Sequence, residues 1–467
     1  MVPGSVRKET MSRAGKKLRY PESPVFYRAL NRVYPKISHG EGVWIFDDAG
    51  KRYLDACSGA FVANIGHGVP EIANAVSEQL QKVAYVNGTA FTTDAAEELA
   101  GVLSEMSPRE LNKFYFLSSG SEAVEAALKM ARHYWIEKNR PQKRKIISQN
   151  PGYHGNTLLA LSASARAHYK KIYGPWLVDC PMIPAPYAYR CNCGGNPSCP
   201  VCSGSILEEL ILKEGAETVA AFIMEPVGGS STGAAVPRPD YFRNIREICD
   251  RHDVLLIADE VLTGAGRTGK WLAMEHYGVW PDLMTLGKGI SGGYLPLSAL
   301  VAGEKIIDPI AKGYGSFLHA QTFSHAPSIC SAGLAAVRYI RKHRLIERSN
   351  KMGLVLQEKL GALKELPFIG DVRGIGMLAG VEFVADVKTK EPFPRRLKFA
   401  ETFTQIAQDL GLIVWPNVGH ADGENGDLVM IAPPFTIAEF EIDLIVSFFK
   451  EALEKAASQI TVTGEIK

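Results

Sequence analysis

The chain has 467 residues, 46% hydrophobic and 22% charged, the proportions of a folded globular protein rather than a disordered one. Lys and Arg number 52 against 50 for Asp and Glu, a formal charge of +2, without the basic excess of a dedicated nucleic-acid binder. No apolar run approaches the roughly 18 residues of a membrane helix, which excludes a spanning protein, and the length suffices for two or three domains.

Residues 1–20 are basic and polar, with no apolar stretch of the secretory type. The eight cysteines are too few for a disulfide scaffold, which predicts a reducing, cytoplasmic location. Residues 1–40 are expected to form a short helix and an irregular arm. "VWIFD" and "KRYLDA", joined by Asp48-Ala49-Gly50, read as a hairpin. No internal repeat of 20–50 residues is seen. Short apolar runs at 113–117, 145–148, 219–224, 254–258, 283–286 and 297–302 read as strands buried on both faces. Helical periodicity fits 71–83, 95–106, 122–139 and 241–252. The alternation predicts an α/β fold with a mostly parallel sheet, whose ligands bind beyond the carboxyl ends of the strands. After Thr322 the pattern changes to helices at 328–343 and 349–363, a strand in "GMLAGVEFV" and a closing helix at 437–457. This reads as a second, smaller α+β domain.

Several motifs carry chemistry. Ser118-Ser119-Gly120-Ser121-Glu122 follows the strand "KFYFL" and opens a helix. Free N–H groups and small side chains there suit a phosphate, although Ser119 and Glu122 also have the spacing of a simple capping box. "LLIADEV" puts Asp259 and Glu260 at the end of a buried strand, where a carboxylate needs a cation or donors, in a functional or a structural role. Lys288 lies in the Gly/Ser-rich turn of "MTLGKGISGGYLPLSA", placed to act as nucleophile or base unless it is an exposed loop lysine. Tyr153, in "YHG" after "KIIS", could stack on a planar cofactor or simply pack. The stretch from Gly264 to Lys270 mimics a P-loop, but Trp271 stands where Ser or Thr is required and the stretch lies several residues past its strand, which argues against nucleotide binding.

Together these motifs resemble the class III, or omega, aminotransferases, fold-type I enzymes that use pyridoxal 5'-phosphate. The resemblance spans about residues 24–449 and rests on "NIGHG", "SSGSEAVEAALKMAR", "YHG", "EPV", "ADEVLTGAGRTG", "LGKGISGGYLPLSA" and "QTFSHAP" in order. It implies that Lys288 forms a Schiff base with the cofactor and that Asp259 pairs with its pyridine nitrogen. Gly120 and Ser121 would hold the phosphate, Tyr153 and Val261 would flank the ring, and Glu225 would lie nearby. Thr322 would reach the phosphate of a neighbouring subunit, implying a homodimer, or a tetramer of two dimers, with shared sites. The implied architecture is a small domain begun by residues 1–66, a large cofactor-binding domain over 67–327, and the rest of the small domain over 328–467. The implied reaction moves an amino group from an amine or ω-amino acid to a keto acid such as pyruvate by ping-pong kinetics. An aminomutase or amino-acid racemase would share every cofactor residue. A catalytically silent scaffold or zinc-dependent binding module is disfavoured by the presence of both Lys288 and Asp259.

Two departures from the family pattern stand out. Many relatives grip the substrate carboxylate with a C-terminal arginine, whereas "GLIVWPNVGHADGENGDLVMIAPPF" has none. The carboxylate is then held elsewhere, or one substrate is a larger or uncharged amine, with Trp415, Phe61 and Tyr85 expected to line the substrate pocket. Cys191, Cys193, Cys199 and Cys202 bracket a "GGNPS" turn. They read as structural loop cysteines or as a structural zinc site; no metal is assigned to catalysis, since four thiolates leave no open position.

Overall fold

The computed structural model describes residues 19–462. Much of the expected N-terminal helix and arm, residues 1–18, lies outside the described residues. Residues 19–36 carry only turns and bends, and a strand follows where the arm was expected to continue.

Among the described residues, three sheets organise the fold. β1 (Ile37–Glu41), β2 (Trp44–Asp47) and β3 (Arg52–Asp55) form an antiparallel meander that includes the predicted hairpin. The Asp47 carboxylate closes its turn by accepting from the N–H groups of Ala49 and Lys51. The central sheet contains β4 (Lys113–Leu117), β5 (Lys145–Asn150), β6 (Met182–Pro184), β7 (Val219–Met224), β8 (Leu255–Asp259), β9 (Leu283–Leu286) and β10 (Ser298–Ala302). Their order is β4-β10-β9-β8-β7-β5-β6, and only β10 runs antiparallel to its neighbours. Every residue of β7, β8, β9 and β10 is buried, so these strands show no alternation of apolar and polar residues.

The third sheet is antiparallel: β11 (Ile369–Ile375), β12 (Leu378–Phe383), β14 (Trp415–Val418) and β15 (Asp427–Ile431), in the order β11-β12-β15-β14. The short β13 (Leu412–Ile413) instead pairs in parallel with β3, Leu412 against Leu54 and Ile413 against Asp55. Segments from both ends of the sequence therefore share one sheet. The helix Pro327–Lys342 packs on the helices Pro70–Lys82 and Asp94–Glu105. The closing helix runs over Glu439–Val462.

The P-loop-like stretch is a packing element. Arg267 is 2% exposed, donates to the carbonyls of Met377 (3.1 Å) and Pro433 (2.7 Å), and lies over the Phe435 ring. Gly376 meets the Thr268–Gly269 backbone so closely that an added Cβ would come within 2.3 Å of Thr268.

Candidate active site

The carboxyl ends of the parallel strands converge on a cavity of about 490 Å³, within the size range of small-molecule sites. β4 leads to Gly120 and Ser121, β5 to Tyr153 and His154, β7 to Glu225, β8 ends at Asp259, and β9 leads to Lys288. The cavity brings these residues together with Phe61, Val261 and Trp415. Two sequence-predicted residues lie elsewhere: Tyr85 is exposed with its ring 5.9 Å from that of Phe323, and Thr322 beside it is exposed too.

Asp259 is held from three directions. One carboxylate oxygen contacts His154 Nδ1 at 2.8 Å, and the other accepts from the Thr285 hydroxyl (3.0 Å) and the Val261 N–H (3.1 Å). Burial disfavours a charged His154, but the Asp259 bond and charge outweigh it and hold the imidazole above its ordinary value. The neighbouring Glu260 turns away from the cavity. It accepts from Met274 N–H and from the Thr263 hydroxyl, and burial pushes its carboxyl up to about 7. Of the two carboxylates ending this strand, Glu260 has the structural role.

At the helix N-terminus the cap and the anion site prove compatible. The Glu122 carboxylate accepts from the N–H groups of Ser118 and Ser119, and Ser119 Oγ accepts from the N–H of Glu122. This box leaves the Gly120 and Ser121 N–H groups for an anion in the cavity. A Cβ on Gly120 would sit 2.7 Å from Val261 Cγ1, so glycine is required for this approach. Gly155, at φ +136°, lets the "YHG" turn lie against Ser121, whose Oγ accepts from Asn156 N–H at 3.1 Å.

Lys288 begins a single 3-10 turn at φ +46°, a strained left-handed conformation for a residue with a Cβ. Burial holds its amine below the ordinary lysine value, against the opposing pull of Asp259 and Glu225. Burial raises the Glu225 carboxyl. Glu225 accepts from the N–H groups of Tyr153 (3.2 Å) and Gly229 (2.9 Å).

The far wall contains a cation that the sequence pattern did not reveal. Arg166 lines the cavity, donating to Ser230 Oγ at 2.8 Å and to Asn417 Oδ1, with its guanidinium 5.2 Å from the Tyr153 ring centre. Phe61 and Trp415 line the same cavity, their ring centres 5.5 Å apart. Asn417, in the C-terminal stretch that has no arginine, accepts from an arginine that lies 251 residues earlier.

The model of the family described as "Aminotransferase class-III" matches residues 27–453. The chain is a class III aminotransferase. The uncharacterized aminotransferase YodT of Bacillus subtilis is 41% identical over 91% of this chain and 96% of that protein. Putrescine–pyruvate aminotransferase of Pseudomonas aeruginosa is 34% identical over 93% of this chain and 94% of its own length. The omega transaminase of Pseudomonas jessenii, solved in complex with PMP, superposes with a TM-score of 0.85 at 30% identity, covering 92% of this chain and 94% of that one. The fold is that of the fold-type I enzymes, and class III aminotransferases depend on pyridoxal 5'-phosphate. The residues fit that cofactor: an anion site, a buried carboxylate and a lysine face one cavity large enough for a substituted pyridine and its phosphate.

Proposed function

We propose that this aminotransferase moves an amino group from an amine or ω-amino acid donor to a keto acid such as pyruvate, with ping-pong kinetics. The observation that carries the reading is the meeting of Lys288, Asp259 and the Gly120–Ser121 N–H groups in one cavity with Arg166. The cofactor, when bound, supplies an aldehyde to take up the amino group and a ring to withdraw electrons from the reacting carbon. Gly120 and Ser121 would hold its phosphate, Tyr153 and Val261 would flank its ring, and the Lys288 ε-amine would be the group that binds it covalently. Asp259, fixed by His154 and Thr285, holds a proton at the pyridine nitrogen. Once released, Lys288 moves the proton at the α-carbon of the substrate; its lowered pKa keeps a fraction of the amine neutral and able to act as a base.

Arg166 takes the part of the missing C-terminal arginine and pairs with a substrate carboxylate, while Phe61 and Trp415 form an apolar wall for the remainder of the donor. The putrescine–pyruvate relative supports an amine donor and pyruvate as acceptor. The proposed functional unit is a homodimer or a tetramer of two dimers, a reading supported by the exposed apolar side chains Tyr85, Phe91, Leu318 and Phe323, and the cysteine usage supports a cytoplasmic location. The test is an amine-donor panel with pyruvate, scored for alanine and for the deaminated donor product. Formation of both supports transfer. A substrate racemised or isomerised with no acceptor present, and no carbonyl product released, would replace it with the isomerase reading.

A further inference from the structure

We propose that Cys191, Cys193, Cys199 and Cys202 bind one structural zinc ion as four thiolates. Their Sγ atoms all lie within 4.8 Å of one another. Cys191 and Cys199 are 3.7 Å apart at sulfur, and Cys193 and Cys202 are 3.6 Å apart. Four sulfurs tetrahedrally placed around zinc at about 2.3 Å lie about 3.8 Å from one another, whereas a disulfide brings its pair to about 2.05 Å. These two separations match ligands of a shared ion, and all four cysteines are unbridged.

The backbone is shaped for the same purpose. Cys191 and Cys193 come from one arm, and Gly194 and Gly195 follow at φ +58° and +82°, turning the chain back towards the sulfurs. The second arm presents Cys199 as the N-cap of a short helix, Pro200–Ser203, that contains Cys202.

Between Cys191 and Cys202 the only buried hydrophobic side chains are those of Cys199 and Cys202, so the turn has no apolar core of its own. An ion supplies that cohesion. The turn is anchored by Arg238, which donates to the Pro197 carbonyl at 2.8 Å, and by Asn244, which donates to the Ser203 carbonyl at 2.9 Å. Arg190, next to Cys191, bonds Glu382 on β12 at 2.7 Å. The ion thus fixes a turn held between the helix Tyr241–Arg251 and the third sheet. None of the four cysteines lines the cavity beneath Lys288, and four thiolates leave no position for substrate, so the role is structural. Thiolates select soft metals, zinc foremost among divalent ions for a closed tetrahedral site.

The test uses untagged, full-length holoenzyme purified without chelator. Elemental analysis is expected to find about one zinc per chain, and titrating the thiols with a mercurial is expected to release it stoichiometrically to a chromogenic chelator. Cobalt exchange should give the visible d–d bands of a tetrahedral tetrathiolate site. C193S and C202S should each lose the metal; because either could fold poorly, the mercurial release from unaltered protein stands as an independent measurement. Iron at one per chain, four freely titrating thiols with no metal, or mass-spectrometric detection of two disulfides would each overturn the proposal. It does not depend on the transaminase reading, which those results would leave intact.

Discussion

Burial and charge act on Lys288 in opposite senses, and burial prevails. This is what a lysine needs if it is to serve as a base near neutral pH. Lys288→Ala is expected to slow both half-reactions by roughly 10²-fold or more, read from single-turnover changes in cofactor absorbance. A variant that turned over at the unaltered rate would remove Lys288 from the mechanism. Arg166 makes a separate prediction. Loss of a charge-assisted bond costs about 1.5–3 kcal/mol, so Arg166→Leu is expected to raise KM for pyruvate roughly 10- to 150-fold. KM for an amine without a carboxylate should stay within a few-fold. Equal changes for both substrates would show that Arg166 shapes the cavity without binding a carboxylate.

At the scale of the elements, Arg267 clamps the turn after β8 to the segments around Met377 and Pro433. Arg267→Ala would strand buried carbonyls and is expected to cost about 2–5 kcal/mol, measured as a lowered denaturant midpoint. A second clamp lies on β12, where Glu382 meets Arg373 at 2.8 Å, Arg190 and His420. Burial opposes ionisation of Glu382, but His420 and the two guanidiniums outweigh it and hold the carboxyl far below its ordinary 4.5. The folded pKa is depressed, so this stabilisation is fully present above about pH 4.5 and is lost as the pH falls below that value. Glu382→Gln is expected to lower Tm at neutral pH and to flatten its decline in acid, as followed by thermal melts from pH 7 to 3.

The sequence revealed the central strands well because residues buried on both faces leave continuous apolar runs, as in "VAAFIM" and "LLIAD". Besides β1 and the third-sheet strands β11, β14 and β15, which went unread, it missed β6, with three residues at the sheet edge, and β13, with two. Neither is long enough to establish a period. The residues beneath the cofactor site were legible because each follows a strand in a distinctive turn. Arg166 was not: it sits in the polar run "SARAHYKK", and only tertiary folding brings it to Asn417 and Ser230. The Cys cluster was visible as spacing, while the convergence of its four sulfurs to within 4.8 Å of one another required coordinates.

At the scale of the whole molecule, Phe91, Leu318 and Phe323 are 67%, 57% and 57% exposed in the single chain, and Tyr85 packs on Phe323. The proposed assembly would cover these side chains. Sedimentation analysis is expected to give a dimer or a pair of dimers, and Phe323→Asp to shift the protein toward monomer with weaker cofactor retention. A monomeric unaltered protein with full activity would exclude shared sites.

The parallel pairing of β13 with β3 also bears on how the enzyme is made. During synthesis the reactive lysine leaves the ribosome well before Trp415, and the meander near the start of the chain must wait for Leu412 to complete its edge. A polypeptide made only as far as the lysine thus holds the amine with Phe61 but without Trp415, and the site can close only once Trp415 and Leu412 have emerged.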